Sequence, residues 1–240
     1  MGVLEAAARI VQLGGASRES PAGRVARASE MKAAFEARTG AFSPEDPWFE
    51  ERSRAFWCDA VTRGRFGREV EAELEPADRQ WLGPLERAHR GLFRASRAAR
   101  GTRASGGTPR RSEAWLIDVW SGAELLVTTL DDAARAELDA ASGQLFDARV
   151  VGADEPLEVA LLPGAIYHPH DATSAIEQVI GAARARDLTT DDTLDALLRM
   201  ERSLRALSRV KAAYAYRAEA LSSPTAAAPR PGRRPVKEPT

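Results

Sequence analysis

Between residues 90 and 168 the hydrophobic residues come in short bursts. "RGLFRAS", "AWLIDVW", "ELLVTTL", "QLFDARVV" and "LEVALL" are each four to eight residues long and rich in Val, Leu or aromatics. Ser121-Gly122, Gly143, Gly152 and Pro163-Gly164 punctuate them. Runs of this length bounded by turn formers read as β-strands, and "AIYH" adds a short sixth. Residues 130–142 interrupt the series with an Ala-rich stretch that Asp131 or Asp132 is placed to cap as a helix. Several short strands in an open sheet leave two edges of unpaired backbone groups, which curling into a barrel removes. The pattern therefore predicts a small antiparallel β-barrel, SH3-like or OB-like.

Both flanks have a helical period, so the class is α+β: an N-terminal helical bundle, the barrel, and two C-terminal helices. Val3, Leu4, Ala7, Ile10 and Val11 make one face of a first helix, unlike the basic start and continuous apolar core of a signal peptide. A second helix runs from Pro21 to Gly40. In a third, Asp46 is the expected cap, Pro47 the first helical residue, and Phe49, Phe56, Trp57, Ala60 and Val61 a core-facing stripe. Gly83-Pro84 should split a fourth, with His89 in its last turn. Asp171, or a capping box from Ser174 to Glu177, starts the first C-terminal helix over Ile176, Val179 and Ile180. Residues 189–221 read as one long amphipathic helix begun by Thr189 or Thr190, its apolar seam broken only at Lys211. Residues 222–240 are Pro-rich with almost no large apolar side chain, the composition of a disordered tail. The expected division is 1–89 helical, 90–221 barrel with C-terminal helices, and 222–240 tail.

A net charge of −1 conceals segregation. Residues 87–112 carry +8, residues 113–200 carry −12, and the last forty return to +6. Such blocks fit either a polyanion-binding surface or basic and acidic parts that pair with each other. The chain has no asparagine and three lysines among abundant Ala and Arg, as a high-GC bacterial genome gives. Cys58 is its only cysteine, so no intramolecular disulfide forms, which fits a reducing cytoplasm. Charges interrupt every apolar run well short of the roughly 18 residues a membrane helix needs, so no membrane partner is expected.

Two clusters invite chemistry. In "AIYHPHDA", His168 and His170 alternate at a strand end beside Asp171, the residue types of a metal-dependent hydrolase. A turn with a helix cap accounts for the same residues, since Pro169 favours an extended turn. On the last helix Arg202, Arg205 and Arg209 share a side and, with Arg94 and Arg97, form a candidate polyanion contact for a nucleic acid. Cys58, between Trp57 and Asp59, reads as a buried, inert thiol. The sequence lacks a G-x-S-x-G elbow and a phosphate loop ending in G-K-[S/T], so no cofactor is implied.

The barrel region resembles PilZ domains, six-stranded barrels that bind a cyclic dinucleotide through an R-x-x-x-R loop and a [D/N]-x-S-x-x-G turn. Arg90 and Arg94 keep the first spacing. Asp118 and Ser121 stand three apart where the family has two, and Gly122 follows the serine directly. The resemblance implies a ligand facing Arg90 and Arg94. With few convergent catalytic groups, the expectation is a non-enzymatic bacterial cytoplasmic interaction or regulatory module with a protein partner. Nucleic-acid binding and metal-dependent hydrolysis are the alternatives.

Overall fold

The structure is a computed structural model that describes residues 2–15, 22–96, 113–128, 130–152, 157–207 and 210–222. The N-terminal part comprises α1 (Val3–Gly15), α2 (Ala22–Thr39) and α3 (Phe49–Val61), followed by the short α4 (Pro76–Arg79) and α5 (Leu82–Glu86). Val3, Ala7 and Ile10 turn inward from α1 to meet Phe35, Phe56 and Phe66. The expected stripe on α3 is core, with Phe56, Ala60 and Val61 buried and Phe49 and Trp57 packed at the margin. Edge-to-face pairs such as Phe35 with Phe56, 6.1 Å between ring centroids, each add about 0.5–1.5 kcal/mol beyond burial.

Asp46 does not cap α3. Its Oδ2 accepts the Ser43 N–H at 2.8 Å, closing a turn before the helix, which begins later at Phe49. Pro84 lies in the first turn of α5, where its missing N–H costs nothing. His89 ends no helix either. The chain leaves α5 at Arg87, and His89 opens a strand opposite Val150 because Arg90, Leu92 and Arg94 now alternate with Gly91, Phe93 and Ala95.

The strands are β1 (His89–Ser96), β2 (Ala114–Asp118), β3 (Glu124–Val127), β4 (Leu145–Gly152), β5 (Glu158–Leu161) and β6 (Ile166–Tyr167). Five close on themselves in the order β1-β2-β3-β5-β4-β1, and β6 adds to β4 through Phe146↔Tyr167 and Asp147↔Ile166. The barrel is not wholly antiparallel: α6 (Asp132–Ala140) carries the chain between β3 and β4, and β3 then runs parallel to β5. That circuit, with a helix after the third strand, is the OB-type order, not the SH3-type. Asp131 caps α6, accepting the Ala134 N–H at 2.7 Å as expected. Phe93, Leu116, Val127, Phe146, Ala148, Val150 and Val159 fill the barrel, and Leu138 of α6 packs with them.

Outward positions of β4 are also buried. Leu145 packs under the C-terminal helices and Val151 under the N-terminal ones, so both helical groups meet over this strand. The chain passes from helices to strands at His89, and Val151, Ala160, Leu162 and Ile166 share one core with α1 and α3.

α7 (Thr173–Ala185) and α8 (Thr190–Ala206) complete the cover. Asp171 does not cap α7, because the chain enters it through a 3-10 turn at residues 170–172 that leaves Asp171 a residue too early, and Ala172 holds the cap position. Ser174 lies inside the helix, so the capping box is absent too. Thr189 does cap α8, its Oγ1 accepting the Asp192 N–H at 3.1 Å. The expected helix to residue 221 stops at Ala206; α9 (Ala212–Ala215) and a 3-10 turn at 218–222 follow. A straight continuation would carry the seam about 20 Å onward with nothing to bury it. Folding back instead buries Ala212, Tyr216 and Leu221 against Ile176 and Leu194, and exposed Lys211 stands at the start of α9.

A candidate ligand cleft at the helix–barrel junction

The meeting of the two helical groups over β4 creates an electrostatic demand. Along a strand, alternate side chains face outward, and on β4 those between Leu145 and Val151 are Asp147 and Arg149, which the helices cover. A buried charge is tolerated only when paired. Arg90 of β1 meets this with a two-point contact to Asp147, Nε–Oδ1 3.1 Å and Nη2–Oδ2 2.6 Å. Its remaining Nη1 donates to Asp195 of α8 at 2.6 Å. Asp195 also accepts from Arg38 of α2 at 3.0 Å, Arg38 donates to Asp59 of α3 at 2.6 Å, and Asp59 receives Arg149. The alternating chain Asp147-Arg90-Asp195-Arg38-Asp59-Arg149 thus links barrel, N-terminal helices and α8, with equal numbers of each sign.

Burial opposes both charges of the Arg90–Asp195 contact but loses. The two carboxylates hold the Arg90 guanidinium pKa above its ordinary value, and Arg90 and Arg38 hold that of Asp195 below its own. A second buried group lies nearby. Arg52, 1 % exposed, donates to Glu201 and to the Leu198 carbonyl at 2.7 Å, and Glu201 also receives Arg205.

Above the first network opens a cleft of about 610 Å³. Its floor holds Arg90 and Arg149, its rim Arg63, Arg87 and His89, and one wall is the start of α8 at Thr189, Thr190 and Asp191. Unpaired N–H groups in the first turn of a helix favour negative charge. Asp191 is held loosely: its oxygens stand 3.8 Å from Arg63 and 3.8 Å from Arg90, beyond the 2.7–2.9 Å of a charge-assisted hydrogen bond. Arg87 is exposed, with no carboxylate within 4 Å among the described residues. His89 Nε2 lies 3.2 Å from Asp118 Oδ2, a contact that raises the imidazole pKa. Asp118 is held below its ordinary pKa: burial opposes this, but bonds from His89, Ser121 Oγ (2.6 Å) and the Trp120 N–H (3.0 Å) outweigh it. Ser121 and His89 therefore meet on one carboxylate, not on each other, so the imidazole is not placed to take the Ser121 proton.

The histidines of the 165–172 cluster part company. His168 is 1 % exposed, its Nδ1 2.8 Å from the Tyr216 hydroxyl, and burial pushes its pKa down to about 4. His170 and Asp171 are exposed on the opposite side of Pro169. Among the described residues no three His, Cys, Asp or Glu side chains gather closely enough to hold a metal ion. Cys58 is buried, and desolvation pushes its thiol up to about 11.

Three of the candidate polyanion contacts, all partly exposed, bond within the chain. Arg94 donates to Glu177 at 3.1 Å, Arg202 to the Ala41 carbonyl at 3.0 Å, and Arg205 to Glu51 at 2.8 Å as well as Glu201. Arg97 and Arg209 lie outside the described residues, as does the tail from 223 onward. Arg90 and Arg94 form no ligand loop of the PilZ kind: both stand on β1, one inside the ion-pair chain and one on α7's glutamate. Within the described residues, Arg90, Arg94 and Arg205 are met by carboxylates of the chain itself.

The junction network was not read from the sequence, although "FDAR" holds two opposite charges at alternate positions of a strand. His89 with Asp118 was missed because contacts across strands β1 and β2 need the register to be known. No family model, no curated protein and no solved structure matches the chain.

Proposed function

We propose that the chain is a non-catalytic regulatory module of the bacterial cytoplasm that takes a phosphate-bearing anion in the junction cleft and passes its bound state to a protein partner. One observation carries the reading: Arg63 and Arg87 stand exposed at the rim of a cleft floored by Arg90 and Arg149, and of the two carboxylates that line it Glu86 is engaged by Arg68 while Asp191 is half-exposed and too distant from Arg63 and Arg90 for a tight bond. An oxyanion entering there displaces Asp191, accepts charge-assisted hydrogen bonds from two or three guanidinium groups, and meets the positive end of α8. Because the walls come from the turn after α3, the end of α5, β1, β4 and the start of α8, occupancy bears on how the helices sit on the barrel. Arg202 and Arg205 of α8, already bonded to Ala41, Glu51 and Glu201, favour this reading over a nucleic-acid interface.

Thermal unfolding at constant ionic strength tests it, with inorganic phosphate and pyrophosphate titrated against chloride. Phosphate species should raise the melting temperature in a saturable way, since a ligand at 100 times its dissociation constant adds about 2.7 kcal/mol. Arg87→Ala and Arg63→Ala, both at exposed rim positions, should weaken the effect several-fold without lowering the ligand-free melting temperature by more than a few degrees. Equal shifts with chloride and phosphate would refute the reading.

A further inference from the structure

On another face of the chain α1, α3 and the turn after β5 enclose a recess of about 230 Å³. Its walls are apolar: Ala7, Val11, Trp57, Cys58, Val61 and Leu162. A cavity of about 150 Å³ admits benzene, so this one accommodates a larger apolar group. A close backbone contact borders the recess. Gly164, at φ +104°, brings the β5–β6 turn so close to α3 that a Cβ would stand 2.6 Å from the Arg54 carbonyl oxygen. The turn is thereby wedged on α3, leaving space between Leu162 and α1.

Arg54 stands at the mouth. It borders this recess and a neighbouring hollow of about 330 Å³ that shares Leu162 and Pro163 and continues over Leu161 and Tyr167. Its side chain is exposed, and no carboxylate lies within 4 Å of it among the described residues. Among the described residues the acids lining either hollow, Asp131 and Glu137, belong to the second one, where desolvation and, less strongly, Glu137 hold the Tyr167 phenol pKa up.

We propose that the recess is a binding site for an amphiphilic carboxylate: the acyl chain lies against Trp57, Val61 and Leu162, and the carboxylate pairs with Arg54. A concave, apolar wall matches a hydrocarbon chain, and the cation at its mouth matches one negative charge, so a carboxylate gains a contact that a neutral amphiphile of equal chain length lacks. Burying successive methylenes makes affinity rise with chain length until the recess is full, at about 0.8 kcal/mol per CH₂ or about fourfold each. This site lies apart from the junction cleft, so the proposal stands independently of that assignment.

The experiment titrates purified protein with hexanoate, octanoate and decanoate below their micellar concentrations, and with decanol, following tryptophan fluorescence and calorimetric heat. Saturable binding that tightens with chain length is expected, with decanoate several-fold tighter than decanol. Arg54→Gln should abolish the preference for decanoate over decanol while leaving decanol binding unchanged. Ala8→Trp, at an exposed position on the recess wall, should remove binding of both while unfolding stays cooperative at a similar temperature. Equal affinity of the Ala8→Trp variant, or decanoate and decanol binding alike to the parent protein, would overturn the proposal, as would absence of saturation. A vesicle-sedimentation arm with anionic phospholipid separates a free carboxylate from a membrane surface: sedimentation lost in Ala8→Trp would assign the recess to lipid and overturn the free-ligand reading.

Discussion

The chain's two best-defined histidines respond to pH in opposite directions, and each carries a signature in its stability. His168 is neutral inside the protein: burial above all, then Arg52 and Arg205, outweigh Asp147 and bring its pKa from 6.5 to about 4. Its Nε2 has no partner among the described residues, and its Nδ1 shares a hydrogen bond with a phenol that burial keeps protonated. Between pH 4 and 6.5 the unfolded chain therefore binds the extra proton, so folding stability climbs across this window, by about 3 kcal/mol from one such group. The double variant His168→Phe/Tyr216→Phe keeps the edge-to-face contact, now 5.6 Å between centroids, and removes both polar groups. Denaturant unfolding from pH 4.5 to 6.5 should show a flatter rise than the parent. His89, raised by its bond to Asp118, contributes stability below pH 6.5 that disappears as pH climbs through its folded value. His89→Gln should remove that decline and leave the acid limb intact. A parent-like slope below pH 6.5 in the double variant would mean that His168 is not desolvated as described.

At the scale of elements, the joints are more informative than the helices and strands themselves. Gly164 combines a left-handed φ of +104° with a 2.6 Å approach to α3, so an alanine is opposed by backbone strain and by collision. Gly164→Ala should cost more than about 1 kcal/mol, lowering the melting temperature by at least about 2–4 °C and closing or distorting the apolar recess. Gly15→Ala, where a Cβ would meet open space, is the control. The element order was legible from the sequence because period and punctuation are local properties: all six strands and the cap at Asp131 lie where residue patterns put them. What failed depended on partners distant in sequence. Asp46 and Asp171 are good caps by type but are committed to turns, and the seam over residues 189–221 keeps a helical period although its second half folds back to supply Tyr216 to His168. Of the candidate site, "FDAR" held Asp147 and Arg149, but which acid meets which arginine follows from α2, α3 and α8 converging on β4, and no local pattern encodes that.

For the molecule as a whole, the question is what fixes two helical groups on a barrel whose outer face carries buried charges. Apolar contacts supply most of the association, since Leu145 and Val151 anchor one group each. They are non-directional, and sliding a helix would cost them little. The chain from Asp147 to Arg149 supplies direction: Arg90 reaches Asp147 and Asp195 at once only when α8 lies in one place over β1 and β4, and Arg38 fixes α2 by the same carboxylate. A buried ion pair adds little net stability over an apolar replacement, but removing one partner leaves a stranded charge. Arg90→Met should therefore cost about 3–5 kcal/mol in denaturant unfolding at neutral pH. The loss should shrink in acid, where Asp195, whose depressed pKa stabilises the fold above its ordinary 3.8, is protonated in both states. The triple variant Arg90→Met/Asp147→Leu/Asp195→Leu should regain most of the stability but not the geometry. With α8 no longer held over β4, the phosphate-dependent rise in melting temperature should vanish even though Arg63 and Arg87 remain. A single variant losing less than about 1 kcal/mol, or a triple variant that still responds to phosphate as the parent does, would show that apolar packing alone positions the helices and that the ion pairs merely follow.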